Sequence, residues 1–221
     1  MTPRHHLDPA TVVSYAAGAL SPELSAIVAI HLEACDACRD ATARAERVGG
    51  MLLEQQHPGV DMPRHQQLRA DMLARLARMG SPQPVPVATK APVKPDRLPA
   101  PLHPYFGDSY RALKWRWMGP GMHYIRAPGP TGGTLLMLRI GAGKRMPVHG
   151  HGGTEITQIL RGAYDDALGH FAAGDIADLD AETEHQPVTS PGEPCICVAA
   201  LDAPLRFPGW FARKLQPLFG I

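Results

Sequence analysis

The segment 143–162 constrains the fold of this chain more than any other stretch. Its two histidines, His149 and His151, are separated by one residue, so both side chains point to the same side of a β-strand. Glu155 follows four residues later, beyond a pair of glycines, and can turn back to the same point. Imidazole and carboxylate groups together suit a divalent transition metal. The pattern therefore predicts a metal site built on adjoining strands.

The sequence from residue 105 onward has a pattern that is typical of β-strands. Short alternating apolar segments are separated by Gly or Pro, and many such strands at close spacing predict a small antiparallel barrel or sandwich. A barrel interior collects side chains from neighbouring strands, so we expect a fourth ligand on a later strand, with His185 as the candidate. Three histidines and one carboxylate tolerate Zn, Mn, Fe or Ni. Zinc is the favoured assignment. The predicted strands are 114–118, 123–126, 134–140, 155–161, 176–179 and 195–200.

Residues 1–79 are alanine-rich and predict four short helices. Asp8 and Ser21 each precede a proline, which is the pattern of an N-cap residue followed by proline at the first helical position. A bundle of this size has a marginal core unless something else stabilises it. The predicted helices cover 9–19, 22–34, 37–53 and 64–79.

A second ligand cluster lies in this helical part. His31 and Cys35 are four residues apart and Cys38 follows one turn later, so three ligands point at one spot. A structural zinc site takes four nitrogen or sulfur ligands, and either His6 or His5 can supply the fourth; we favour His6. The alternative is a redox-active cysteine pair beside an incidental histidine. The added histidine, in a helical segment without a βαβ pattern, favours zinc.

Prolines recur throughout residues 80–104, which predicts an extended spacer that carries no core. We therefore expect a two-domain chain of the α + β class. Residues 1–79 form a zinc-bound four-helix mini-domain, 80–104 form the linker, and 105–221 form an antiparallel β-barrel that holds the other metal.

Charge and composition exclude several classes of partner. The net charge is +1 and the 44% apolar content is ordinary for a globular protein, so we expect no direct binding to nucleic acid or to a membrane. No apolar run reaches the roughly 20 residues of a spanning helix, and the start of the chain has no signal-peptide pattern. We expect a cytoplasmic protein, whose close cysteine pairs are ligands or redox-active thiols instead of disulfides.

The barrel segment resembles a cupin domain. The second cupin motif is reduced to Gly174 and His185, while Asp180, Glu182 and Thr189 stand where the motif has Pro, Gly and Asn. The residues that match the first motif are Gly143, His149, His151, Glu155 and Gly162.

The helical segment resembles the zinc-containing anti-sigma domain, in which an upstream histidine precedes His-x3-Cys-x2-Cys. An anti-sigma domain, a proline-rich linker and a cupin-like domain together resemble the ChrR-type anti-sigma factors. This resemblance covers nearly the whole chain and includes the segments 4–6, 15–18 and 202–207.

The resemblance implies a regulator of transcription and not an enzyme. The helical domain would sequester an extracytoplasmic-function sigma factor of the sigma-E type, with its zinc in a structural role. The cupin-like domain would sense singlet oxygen or organic peroxide and license release of the sigma factor. The alternatives are a metal-dependent cupin dioxygenase or isomerase with an accessory helical domain, and a metal-storage or quorum-type binding module, which explains the linker poorly.

Two further groups of residues allow alternative interpretations. Leu68, Met72 and Leu76 lie on one stripe of the fourth predicted helix, where they either contact a partner or pack inside the bundle. Cys195 and Cys197 face one side of a predicted strand, either as a peroxide-sensitive pair or, as is more common, as small buried apolar residues. Four aromatic residues are predicted to pack in the core or at the barrel ends: Trp115, Trp117, Trp210 and Phe211.

Overall fold

The structure is a computed structural model that describes residues 2–56, 62–79, 96–130 and 132–209. The chain divides into two compact units. The first contains residues 1–49 and 96–221, and the second contains residues 50–95.

Three helices begin the chain: α1 spans Pro9–Ala16, α2 spans Pro22–Ala34 and α3 spans Asp36–Glu54. The Asp8 carboxylate accepts a hydrogen bond of 2.7 Å from the backbone N–H of Ala10, and the Ser21 hydroxyl accepts one from Leu24. Both predicted N-caps are therefore confirmed, each followed by a proline that is preorganised for the first turn.

Eleven antiparallel strands follow a short helix α5 at His103–Phe106 in the described part of the chain. The predicted bounds of β3, β5 and β8 are confirmed. Pairing of β4, β9 and β11, each two residues long, was not predicted. The strands are β1 (Arg116–Gly119), β2 (Met122–Pro128), β3 (Thr134–Ile140), β4 (Gly150–His151), β5 (Glu155–Arg161), β6 (Ala163–Asp166), β7 (Gly169–Ala172), β8 (Ile176–Leu179), β9 (Val188–Thr189), β10 (Cys195–Leu201) and β11 (Leu205–Arg206).

The strands form three sheets that share one apolar interior. The largest sheet has the order β1-β2-β3-β10-β5-β8, and the smaller ones have the orders β7-β6-β9 and β11-β4. Leu138 of the large sheet, Phe171 of the three-stranded sheet and Leu205 of β11 belong to one cluster of buried side chains. The predicted antiparallel barrel of cupin type is therefore confirmed.

The central strands of the large sheet are buried on both faces. Along β3, Leu136 and Leu138 point into the barrel, whereas Leu135 and Met137 point to the opposite face and pack with Ile27 of α2. Burial on both faces explains why β3 reads as a continuous apolar run. Helix α2 thus covers the outside of the barrel wall, and the first unit has a common core of helices and sheet.

The carboxyl end of the predicted linker contributes to this core. Leu98 and Leu102 are 2% and 0% exposed and pack in the same cluster as α2. The prediction that 80–104 carries no core is therefore wrong at this end, because two leucines between the prolines fill the outer face of the sheet. Residues 80–95 lie outside the described residues. The domain bounds stay a prediction, since packing does not decide which part folds alone.

The predicted burial of Trp117 is also wrong. Its side chain is 66% exposed, because β1 is the edge strand of the large sheet and no other described strand pairs with its outer side. Trp115 is partly buried against the outer core, as expected. Trp210 and Phe211 lie outside the described residues.

The second unit is described over 50–56 and 62–79, and its main element is α4 at Met62–Arg78. Leu68, Met72 and Leu76 are 56%, 56% and 55% exposed. Their stripe is therefore an apolar surface and not the inside of a bundle. Within the described ranges, the structure has no helix that is both long and apolar enough to cross a bilayer.

Candidate metal centres

The barrel cluster consists of four buried side chains: His149, His151, Glu155 and His185. One ligand atom from each lies within 4.8 Å of the others. His149 Nε2 and His185 Nε2 are 3.1 Å apart, and His151 Nε2 is 3.4 Å from a Glu155 oxygen. The structure thus brings together all four residues predicted for this site.

Local pairing explains how distant residues meet here. His149 and His185 form an isolated antiparallel bridge, in which each backbone N–H donates to the other's carbonyl. Glu155 is the first residue of β5, and the motif glycine that ends this strand, Gly162, has a φ of +68°. An added Cβ at Gly162 would lie 2.7 Å from the carbonyl oxygen of Pro194, so only glycine fits this turn.

Each histidine of the barrel cluster has an acceptor outside the cluster. Their Nδ1 atoms lie 2.9 Å from the Pro147 carbonyl, 3.3 Å from the Asp180 carbonyl and 2.9 Å from the Asp166 carboxylate, respectively. An acceptor at Nδ1 places the proton there and leaves the Nε2 lone pair free. All three Nε2 atoms therefore direct a lone pair into the cluster. The lone pairs of neutral rings would repel one another there.

A divalent cation fits this arrangement. Burial is the largest influence that lowers the pKa of His149, so its ring is neutral and able to ligate. His151 Nε2 is buried with no hydrogen-bond partner. The Thr157 hydroxyl donates to Glu155 at 2.9 Å and orients its carboxylate. Three inward imidazoles and one carboxylate are a donor set for a divalent transition metal.

The helical cluster consists of His6, His31, Cys35 and Cys38, whose ligand atoms also lie within 4.8 Å of one another. His6 Nδ1 is 3.2 Å from Cys35 Sγ and 3.7 Å from Cys38 Sγ. The prediction that Cys35 continues the face of α2 is wrong, because Cys35 is the extended residue directly after the helix. Cys38 lies in the first turn of α3, so the cluster joins the α2–α3 junction to the start of the chain.

The geometry separates the two candidate histidines near the start of the chain. His5 stacks on Phe171, with ring centroids 3.9 Å apart, and its Nε2 lies 3.0 Å from the carbonyl of His170. His6 faces the cysteines instead. Only His6 therefore lies beside the other three predicted ligands.

The chemistry of the helical cluster also fits a cation. His31 is fully buried, and its Nδ1 lies 3.2 Å from the Gly174 carbonyl. Burial lowers the pKa of His31, so the ring is neutral. Burial raises the pKa of Cys38 to about 11, so a thiolate there needs a positive charge close by. Two thiols and two imidazoles are the ligands that structural zinc prefers.

Strand β8 connects the surroundings of the two clusters. Before it, the Gly174 carbonyl contacts His31, and the Asp175 carboxylate accepts bonds of 2.6 and 3.0 Å from the backbone N–H groups of Arg4 and His5. After it, the Asp180 carbonyl contacts His151. Burial would raise the pKa of Asp175, but its backbone donors outweigh that effect and lower it, so the carboxylate is ionised at neutral pH.

Sequence reasoning missed the outer partners Asp166, Asp175 and Asp180. Their spacing carries no motif, because each acts through a contact between segments far apart in the chain. The one local signal is the Gly174-Asp175 turn directly before β8, where a glycine with a φ of +99° precedes the aspartate.

Cys195 and Cys197 lie on the inward face of β10, beside the barrel cluster. A hydrogen bond between the two cysteines and burial both raise the pKa of Cys197 well above its usual range. A buried thiol without thiolate character behaves as a small apolar residue, and the structure favours that interpretation.

Comparisons with known proteins agree with this geometry. Residues 109–203 match the family model of the ChrR cupin-like domain, and residues 12–39 match a family model described as a zinc finger. The chain is 41% identical over 223 residues to the anti-sigma-E factor ChrR of Cereibacter sphaeroides, with 100% of each chain covered.

A solved structure extends the likeness to the fold. The chain superposes on a chain of the crystal structure of Rhodobacter sphaeroides SigE in complex with the anti-sigma ChrR, with a TM-score of 0.73 and 35% identity. The match covers 91% of this chain and 100% of that one. The chain is 41% identical to ChrR over its full length, matches both family models and shares the fold. It therefore belongs to the ChrR family of anti-sigma factors.

Proposed function

We propose that this protein is a cytoplasmic anti-sigma factor that sequesters an extracytoplasmic-function sigma factor of the sigma-E type. It thereby represses transcription of the genes that this sigma factor serves. Release follows exposure to singlet oxygen or organic peroxide, with the barrel as the sensor. The proposal rests on the full-length likeness to ChrR and on the exposed apolar stripe of α4.

The stripe of α4 supports binding to a protein. Leu68, Met72 and Leu76 are spaced by four residues, so they follow one face of the helix, and each is more than half exposed. A contiguous exposed apolar surface marks an interaction site on a soluble protein. An amphipathic helix places such a stripe into a hydrophobic groove of its partner.

Both clusters are proposed as metal sites. His6, His31, Cys35 and Cys38 would hold Zn²⁺ in a structural role, which pins the start of the chain to the α2–α3 junction. His149, His151, Glu155 and His185 would hold a divalent metal, for which zinc is the favoured ion. The barrel metal supplies a Lewis-acidic position that can take water or a small ligand.

The contacts of β8 support a physical route from barrel to helices. A displacement of the Asp180 carbonyl alters the ring of His151 at one end of the strand. At the other end, the two residues directly before the strand supply the carbonyl that contacts His31 and the carboxylate that holds the segment before His6. A change at the barrel metal would thus reach the zinc cluster through a strand of only four residues.

The test is binding of the full-length chain to a sigma-E-type factor from the same organism. The variant Leu68→Glu/Met72→Glu adds two charges to the apolar stripe and should abolish co-purification. The variant Ala70→Glu/Ala74→Glu adds the same charges to the opposite face of α4 and should bind as the unmodified protein does. Equal binding by both variants would remove α4 from the interface.

The alternative of a cupin dioxygenase or isomerase retains one supporting observation, which is the cavity beside the barrel cluster. It predicts oxygen consumption or substrate turnover by the metal-loaded protein and no stable complex with a sigma factor. Turnover without a complex would reverse the order of the two proposals.

A further inference from the structure

A cavity of about 370 Å³ lies inside the barrel, beside the metal cluster. One wall is the inner face of the large sheet, including Leu136 and Leu138, and Phe207 closes another side. Protein interiors normally contain few voids larger than a water molecule, whereas small-molecule pockets have volumes of about 300–1,000 Å³. The cavity therefore has the size of a ligand pocket.

The cavity walls select for a particular kind of molecule. They are mostly apolar, with three methionine side chains (Met118, Met122 and Met146) that can adapt to a ligand. Among the described residues that line the cavity, none is Lys or Arg. The strongest polar groups, those of His149, Glu155 and His185, gather at one place.

The open position at the proposed metal defines the head group. Three imidazoles and one carboxylate leave one or two coordination positions for a further ligand. An oxygen group with a free lone pair can occupy such a position, whereas a tetraalkylammonium group has no lone pair and cannot.

We propose that the barrel binds an aliphatic molecule of roughly ten carbon atoms, with an oxygen donor at the metal cluster and its chain along the leucine and methionine walls. A medium-chain carboxylate and the matching alkyl hydroperoxide, ionised at the metal, share this chemistry. The inference rests on the proposed barrel metal and identifies the signal of the proposed sensor as a bound molecule.

The test is calorimetric titration of the full-length, metal-loaded protein with carboxylates of increasing length, after native mass spectrometry has measured its bound metal. Affinity should rise about fourfold for each added methylene until the chain fills the cavity. Decyltrimethylammonium, with the same chain and a cationic head, should not bind. Decanoate and 1-hydroperoxydecane then distinguish the two sources of the head group.

Two cavity variants make the test specific. Ala199→Leu on β10 and Met146→Trp on a loop each add volume to the cavity, and each should weaken decanoate binding at least tenfold at unchanged metal content. Leu168→Trp, on an exposed turn outside the lining, should bind as the unmodified protein does.

Several outcomes would overturn the inference: no binding, affinity independent of chain length, or equal binding of the cationic probe. A protein that carries barrel metal but binds no carboxylate would contradict the pocket and leave the metal site standing. A barrel that carries no metal would contradict both the proposed metal site and the proposed ligand pocket. Sigma-factor binding is measured separately and is unaffected by either result.

Discussion

Replacing Asp175 with alanine should weaken zinc binding at the helical cluster without touching any of its ligands. The carboxylate is 3% exposed and accepts backbone hydrogen bonds from Arg4, His5 and Ala172, at 2.6, 3.0 and 2.9 Å. The first two hold the segment that leads directly into His6. Asp175→Ala removes this attachment and leaves the segment held by the stacking of His5 on Phe171 and by the hydrogen bond from Asp8 to Asp178.

The expected magnitude follows from these bonds. A hydrogen bond to a charged group contributes about 1.5–3 kcal/mol, and water can satisfy the freed N–H of the exposed Arg4. We therefore expect the segment to lose roughly 2–3 kcal/mol of docking free energy. Loss of an outer partner of a metal ligand typically weakens metal binding by about 10- to 100-fold. The two estimates agree, since a tenfold change corresponds to about 1.4 kcal/mol.

Competition with a chromophoric chelator measures the zinc affinity of each variant. Asp175→Asn retains an acceptor for one or two of the N–H groups and should fall between alanine and the unmodified protein. Asp165→Ala is the matched control, because it removes an exposed carboxylate on β6 that hydrogen-bonds with His170 and Ser190 and not with the backbone before His6. Equal zinc affinity of Asp175→Ala and the control would refute the proposed anchoring of His6.

Three more predictions test other parts of the structure. Gly162→Ala should lower the free energy of unfolding in urea by more than Gly143→Ala does. Both glycines have a left-handed backbone, which costs about 1–2 kcal/mol for a residue with a side chain. A Cβ at Gly162 would also clash with the Pro194 carbonyl oxygen, whereas no described atom lies within 4 Å of a Cβ at Gly143. His149→Ala should remove the barrel metal, as measured by mass spectrometry, and still allow co-purification with the sigma factor. Loss of the complex would show that sigma-factor binding itself requires the barrel site. Cys38→Ser should release the helical zinc and abolish sigma-factor binding, and a variant that still sequesters its partner would contradict the structural role of that zinc.

Local patterns predicted the elements that carry the clusters. Strands β3, β5 and β8 begin and end where apolar segments and neighbouring glycines place them, and the caps Asp8 and Ser21 mark the first two helices. The ligands that are close in sequence lie together because their spacing on short elements leaves few other arrangements. These features depend on neighbours in the sequence, whereas His6 and His185 join their clusters through contacts between distant segments.

The remaining features depend on contacts between distant segments. Nothing in the local sequence places α2 on the outer face of the sheet, since its apolar side chains would suit a separate bundle equally well. The burial of Leu98 and Leu102 and the exposure of Trp117 follow from that packing and from sheet order. The choice of His6 over His5 likewise depends on Phe171 and His170, which hold His5 elsewhere.

The central claim is that one chain holds two separate metal ions, one at the α2–α3 junction and one in the barrel. Native mass spectrometry of the full-length protein tests this most directly. We predict two bound ions in the unmodified protein and one in each of Cys35→Ala and Glu155→Ala. An unmodified protein that carries no bound metal would contradict the account.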